Sequence, residues 1–168
     1  MTLYVLCGVS GSGKSTYGNW LAKEKGACVV ATDDIREELF GDASVQSNPK
    51  LVFDTAYTRV RGLLESGKDV VFDATNLDTY RRDIIKYCSG LNNVRYELHV
   101  VPATYEQCVY RQSLRGRKVP VDVVYRQWEK FNRNDFKAEY KLGRWNKIIA
   151  VEKTDDGYKV ITDYSEEI

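Results

Sequence analysis

The chain has 168 residues and few of the side chains that build metal centres or covalent cross-links. It has one histidine, His99, inside a strand-like apolar segment with no evident metal partner, and this histidine reads as structural. The four cysteines, Cys7, Cys28, Cys88 and Cys108, show no C-x-x-C spacing and sit in or beside apolar segments. That usage argues against zinc or a disulfide framework and fits buried, reduced thiols. No apolar run approaches the roughly 18 residues of a membrane span, and the N-terminus lacks a basic start followed by an apolar core. A cytoplasmic protein without a membrane partner is expected. Repeats, low-complexity tracts and linkers are also missing. One domain over residues 1–168 is therefore expected, with only Ser165 to Ile168 reading as a loose tail. Formal net charge is +1, so bulk charge names no partner. Its distribution is uneven. Tyr110 to Lys147 carries eleven Lys and Arg against four Asp and Glu, a local +7 that leaves −6 on the rest. A basic segment on a near-neutral protein suggests a polyanion site, and a solvated helix face is the plain alternative.

What is present centres on Gly8-Val9-Ser10-Gly11-Ser12-Gly13-Lys14-Ser15-Thr16, which fits G-x-x-x-x-G-K-[ST] from Gly8 to Ser15. This is the phosphate-binding loop of P-loop proteins. An apolar run, Thr2 to Cys7, precedes it and reads as a buried strand, and a helix-like stretch through Trp20 and Leu21 follows. Strand, glycine loop and helix are the setting the motif needs. Backbone N–H groups of the loop wrap phosphates, and the helix N-terminus adds its partial positive charge. Lys14 is expected on the β- and γ-phosphates and Ser15 on Mg²⁺.

Further strands are expected at Cys28–Thr32, Asp69–Asp73, Val94–Val101 and Lys147–Val151, with a possible edge strand at Tyr158–Thr162 after a turn at Asp156-Gly157. Helices are expected at Ile35–Phe40, Pro49–Ser66 with Asn48 as cap, Leu77–Ser89, Thr104–Arg115 and Val121 to about Phe136. Gly41 to Asn48 reads as an exposed polar loop. Strands alternating with helices indicate an α/β fold, a mostly parallel sheet of about five strands with helices on both faces. In such sheets ligands bind at the carboxyl ends of strands. The phosphate loop, Asp33-Asp34 and Asp73-Ala74-Thr75-Asn76 should therefore converge.

Asp73 ends an apolar strand and is a candidate to hold Mg²⁺, or else a turn or cap before Leu77. A phosphotransferase needs a carboxylate by the acceptor hydroxyl. Asp34-x-x-Glu37 fits a capping-box variant, which leaves Asp33 the better base. Arg36 could meet an anionic part of the acceptor or form a surface ion pair. Arg111 and Arg115 share a helix face, and Arg115-Gly116-Arg117-Lys118 runs to Pro120. That pattern suits a lid over a triphosphate, spanning about residues 111–133. It also suits a basic turn favoured by the helix dipole. The aromatics interleaved there could stack bases, but the spacing of Val121, Val124, Tyr125, Trp128 and Phe131 fits core packing better.

With these residues assembled, the chain resembles the kinase domains of the bacteriophage 5′-polynucleotide kinase family. Four motifs match in order: Gly8–Thr16; Asp33-Asp34-Ile35-Arg36; Asp73-Ala74-Thr75-Asn76-Leu77 followed by Arg81-Arg82; and Arg111-x-x-x-Arg115-Gly116 with Val119-Pro120-Val121-Asp122-Val123. The resemblance implies a P-loop kinase fold and an ATP- and Mg²⁺-dependent kinase acting on the 5′-hydroxyl of DNA or RNA. Gly8, Ser10, Gly11, Ser12, Gly13, Lys14, Ser15, Thr16, Arg111 and Arg115 would hold the donor. Asp33 would be the base, Arg36 would contact the 3′-side phosphate, and Asp34, Asp73, Thr75 and Asn76 would shape the acceptor site. The two-domain phage enzyme continues into a phosphatase domain with a D-x-D-x-T motif. This sequence contains none, so a kinase-only protein is expected.

Competing acceptors on the same fold are a hydroxymethylated base in DNA, a nucleotide or a small metabolite such as a sugar acid. A GTPase would carry N-K-x-D, and Asn146-Lys147-Ile148-Ile149 lacks the aspartate. A pure nucleic-acid binding module would not need Lys14 or Ser15.

Overall fold

The computed structural model describes residues 1–116 and 119–166. Arg117 and Lys118 of the basic turn and the last two residues of the expected tail lie outside the described residues. Six strands form one sheet in the order β2-β3-β1-β4-β5-β6. They are β1 (Thr2–Cys7), β2 (Cys28–Ala31), β3 (Val70–Asp73), β4 (Arg95–Val100), β5 (Lys147–Thr154) and β6 (Gly157–Asp163). All neighbours pair in parallel except β5 and β6, which form an antiparallel hairpin. The expected edge strand is thus the sixth strand, turned at Asp155-Asp156.

β1 is the centre of the sheet, and five of its six residues are buried because both faces are covered. Leu3, Val5 and Cys7 point to one core with Val70, Phe72, Leu98 and Val100. That layer is completed by α2 (Thr32–Phe40), α3 (Pro49–Glu65), α4 (Thr79–Ser89) and α7 (Phe136–Lys141), through Ile35, Val52, Ile85 and Phe136 among others. Tyr4 and Leu6 point to the other core, which α1 (Lys14–Lys25) covers with Tyr17, Leu21 and Ala22. Gly18 lets α1 lie close to the sheet, since a Cβ there would stand 2.7 Å from the Leu6 side chain. A third, smaller core joins Val9 and Leu77 to α5 (Tyr105–Ser113) and α6 (Val121–Asn132) through Cys108 and Val124.

Several expectations need correction. The α2 helix begins at Thr32, not Ile35, so Asp33 and Asp34 lie in its first turn. Its cap is Ala31 with no capping side chain, so the Asp34-x-x-Glu37 box does not form. The expected Val121–Phe136 helix is two helices, because the Asp135 carboxylate accepts the Ala138 N–H and starts α7 afresh. Only Cys7 and Cys108 are buried, whereas Cys28 and Cys88 are half-buried, and all four are free. Burial pushes the Cys7 thiol up to about 12. The other caps form as expected, including a full capping box between Thr104 and Gln107. No helix among the described residues is long and apolar enough to cross a membrane.

Two buried polar networks lock the layers. Arg82 of α4 is 0% exposed. Its guanidinium donates to both Glu139 oxygens at 3.1 and 2.8 Å, to the Asn134 carboxamide at 2.8 Å and to the Asn76 carbonyl at 2.8 Å. The second network runs Tyr17–His99–Glu97–Arg95. His99 shares one ring nitrogen with the Tyr17 hydroxyl and the other with Glu97 at 2.9 Å, which makes it structural as expected. Burial holds the His99 imidazole below its ordinary value, so it is neutral. Burial would raise the Glu97 carboxyl, but hydrogen bonds from His99 and Arg95 bring it to about 2.

Removing one partner of the buried Arg82–Glu139 pair leaves an uncompensated charge. Glu139→Ala should therefore lower unfolding free energy by about 3–5 kcal/mol in urea titrations, and a joint apolar replacement of both residues should recover most of it. The folded His99 binds its proton less tightly than the unfolded side chain, whose pKa is about 6.5, so the unfolded state takes up more protons below that pH. Stability should be complete above about pH 6.5 and fall as pH drops below it, by up to about 1.4 kcal/mol per unit. Urea midpoints at pH 7.5 and 5.5 check this, and His99→Gln should remove the dependence.

Candidate active site

The chain leaves β1 at the point where the sheet order reverses. β3 lies on one side of β1 and β4 on the other, and a crevice opens past the strand ends there. The glycine loop fills it. Gly11 and Gly13 have φ of +86° and +92°, left-handed values that only glycine adopts freely. A Cβ on Gly11 would stand 2.6 Å from the Cys108 carbonyl oxygen of α5, so the position has no room for a side chain. The Ser12 N–H closes on the Val9 carbonyl at 2.9 Å, and Gly13 leads straight into α1 at Lys14.

Neighbouring segments hold the loop. The Gly8 N–H donates to the Thr75 carbonyl at 3.1 Å. The Asn76 carboxamide, on a residue with φ of 45°, donates to the Leu6 carbonyl at 2.7 Å. These bonds tie the end of β1 to the turn after β3. From the far side, Arg111 of α5 donates to the carbonyls of Gly11 and Ser12 at 3.1 and 2.9 Å. Gln127 of α6 accepts the Ser10 N–H at 2.9 Å.

The sequence-predicted residues divide into three groups. Ser10, Lys14, Asp33, Arg36, Asp73, Thr75 and Arg115 line one cavity of about 650 Å³. Ser15 is not among the lining residues, but its hydroxyl donates to Asp73 at 2.6 Å, and the Lys14 ammonium stands 3.9 Å from the other Asp73 oxygen. Asp73 is therefore not a cap; Asp78 takes that role by accepting the Arg81 N–H. Arg36 donates to Asp33 at 3.1 Å, and its side chain is 13% exposed against 43% for Asp33. The arginine is thus anchored while the carboxylate stays open. Gly8, Gly11, Ser12, Gly13, Asn76 and Arg111 form the frame behind the cavity rather than its wall. Among the described residues the Ser12 hydroxyl is buried with no hydrogen-bond partner. Asp34 and Thr16 are exposed and do not line the cavity.

Sequence reasoning missed other parts of the wall. Ala43, Ser44 and Gln46 line the cavity, and Ala43 is buried, although Gly41–Asn48 reads as an exposed loop. The rest of the segment is exposed as expected, apart from the half-buried Val45. Gln127 and Phe53 also line it. No local signal marks Gln127, whose partner Ser10 is 117 residues away. Of the interleaved aromatics, Trp128 and Phe131 pack as expected, while Tyr110 and Tyr125 are 65% and 46% exposed.

Glycine loop, buried lysine, hydroxyl-to-carboxylate contact and strand-end placement together define a P-loop kinase. The chain belongs to the AAA domain family AAA_33, whose model matches residues 3–136. A protein of Autographa californica nuclear polyhedrosis virus with the provisional name bifunctional polynucleotide kinase/RNA ligase is 27% identical over 158 residues, 84% of this chain and 22% of that protein. An L-seryl-tRNA(Sec) kinase of Methanococcus maripaludis is 25% identical over 146 residues, 83% of this chain and 56% of that one. The chain thus spans 22% and 56% of the length of these curated relatives. The fold also recurs in the Pnkp1/Rnl/Hen1 RNA repair complex (TM-score 0.66, 22% identity, 86% of this chain and 46% of that one). It recurs again in a gluconokinase from Sinorhizobium meliloti 1021 (TM-score 0.57, 21% identity, 89% of this chain and 81% of that one).

Gly11→Ala forces a side chain against α5 in a left-handed conformation. It should lower the thermal midpoint by several degrees and abolish the stabilisation that a non-hydrolysable ATP analogue confers on the parent, as read in a thermal-shift titration.

Proposed function

We propose that this chain moves the γ-phosphoryl group of ATP to the 5′-hydroxyl of a polynucleotide, DNA or RNA. The observation that carries the reading is the Asp33–Arg36 pair at the start of α2, which faces the same cavity as Lys14 and Asp73. A nucleotide switch needs no such second half. The viral relative's name and the basic 110–147 segment lend support.

Mg²⁺ fits the residues present. It takes hard oxygen ligands, one or two from protein, with water and phosphate oxygens completing its shell. The Ser15 hydroxyl and the Asp73 carboxylate supply such oxygens side by side. When bound, the ion neutralises charge on the β- and γ-phosphate oxygens. The chain's own groups do the remainder. Backbone N–H groups of the loop bind the donor phosphates, and Lys14 meets them from the base of the cavity. Asp33 accepts the proton of the acceptor hydroxyl as its oxygen bonds to the γ-phosphorus. The bond from phosphorus to the β–γ bridging oxygen breaks, and ADP leaves with that oxygen. Arg115 stabilises the charge carried by the transferring group, and Arg36 orients an acceptor phosphate.

The names of the other relatives set the rival acceptors, a seryl-tRNA and a sugar acid. Labelled ATP offered with 5′-hydroxyl DNA and RNA oligonucleotides, hydroxymethylated duplex, nucleotides, seryl-tRNA and gluconate separates them. Label is expected on oligonucleotide 5′ ends, and its absence from every such end would sink the reading. Asp33→Ala should lower kcat by about 10²- to 10⁴-fold with nucleotide affinity retained. The same loss from Asp34→Ala instead would move the base to the exposed neighbour.

A further inference from the structure

A second concavity, an open groove of about 460 Å³, lies between α3 and α4. It adjoins the kinase cavity, because Phe53 lines both. Its wall is aromatic: Phe53 and Tyr57 stand 5.9 Å apart between ring centroids, and Tyr87 is 86% exposed. Exposed tyrosine surface beside a catalytic cavity calls for a partner with a flat apolar face. The groove also carries a cation. The Arg81 guanidinium lies 4.3 Å above the Phe53 ring. The nearby Asp78 carboxylate is committed to the Arg81 backbone N–H and to Lys130, so the guanidinium is in no ion pair among the described residues. At the rim Lys50 already pairs with Asp54 at 2.6 Å, and the Arg81 guanidinium meets the Tyr57 hydroxyl and the Phe53 ring in place of a carboxylate.

We infer that the α3–α4 groove is the track for the acceptor strand downstream of the reacting end, stacking unpaired nucleobases on Tyr57 and Tyr87 while Arg81 meets a backbone phosphate. The inference rests on the polynucleotide reading. Aromatic rings beside a guanidinium that is in no direct ion pair among the described residues suit a single strand, which offers a π-face at every base and a charge at every linkage. A small sugar acid offers no π-face to the rings. A duplex keeps its bases stacked on each other, so the track selects single-stranded or frayed ends. The strand passes Phe53 as it leaves the cavity.

The test compares a nucleoside 3′-monophosphate with a single-stranded 5′-hydroxyl octamer, in DNA and RNA forms, for the parent chain, Tyr87→Ala and Arg81→Gln. Thermal melting confirms that each variant folds. The parent should show a lower KM for the octamer than for the monophosphate. Each variant should raise the octamer KM roughly tenfold, the effect of one lost stacking or phosphate contact, with kcat and the monophosphate KM unchanged. An unchanged octamer KM, or equal losses on both acceptors, would overturn the track and leave the polynucleotide reading standing. If the parent phosphorylates neither acceptor, both fall together.

Discussion

The structure depends on one buried guanidinium. Arg82 projects from α4 and bonds to the turn after β3 through Asn76, to the α6–α7 junction through Asn134 and to α7 through Glu139. Desolvating an arginine is costly, and only near-complete hydrogen bonding makes it tolerable. The Trp145 indole adds a further bond to Glu139 at 3.3 Å, and the Phe136 ring faces the guanidinium. Because Asn76 is held from below by Arg82, its own carboxamide can hold the Leu6 carbonyl just before the glycine loop. The end of β1 that leads into the glycine loop is thus tied through Asn76 to the Arg82–Glu139 ion pair.

The loop is gripped from α5 and α6 as well. Arg111 takes two carbonyls of the loop, and Gln127 takes one of its N–H groups. Gln112, buried beside Arg111, accepts the Val119 N–H where the chain returns from the basic turn. The α5–α6 pair therefore sets both loop geometry and the placement of Arg115. Preorganisation of this kind is what phosphoryl transfer needs, since positioning and electrostatics supply most of its catalysis.

Where sequence and structure agree, the signals are local. Apolar runs bounded by glycine, the Asn48-Pro49 start, the Thr104–Gln107 box and the glycine loop are each decided within a few residues, and each appears where its chemistry places it. What escapes is set by distance along the chain. Arg82 and Glu139 are 57 residues apart, so neither sequence neighbourhood shows that the two meet. Asp33 illustrates an intermediate case. Its place past a strand end is legible, but the helix starts three residues early, at Thr32, with no capping side chain to mark the start in the sequence. Arg111 is legible as an arginine that shares a helix face with Arg115. Its binding to backbone carbonyls rather than to the cavity wall depends on how closely α5 approaches Gly11.

The 41–48 segment has a further consequence. It contributes Ala43, Ser44 and Gln46 to the cavity, yet the helices on either side are finished by its two end residues alone. Gly41 closes α2 in a left-handed turn, and Asn48 opens α3 by accepting the Leu51 N–H. A loop bounded by two self-sufficient helix ends can change length or composition without moving Asp33, Arg36 or the sheet. Loops of this kind tolerate insertion far better than the elements they join. The cavity wall can thereby vary in this chain while the helix start that carries Asp33 and Arg36 stays fixed. Kinases that share one scaffold and differ in what they phosphorylate can arise by such replaceable walls.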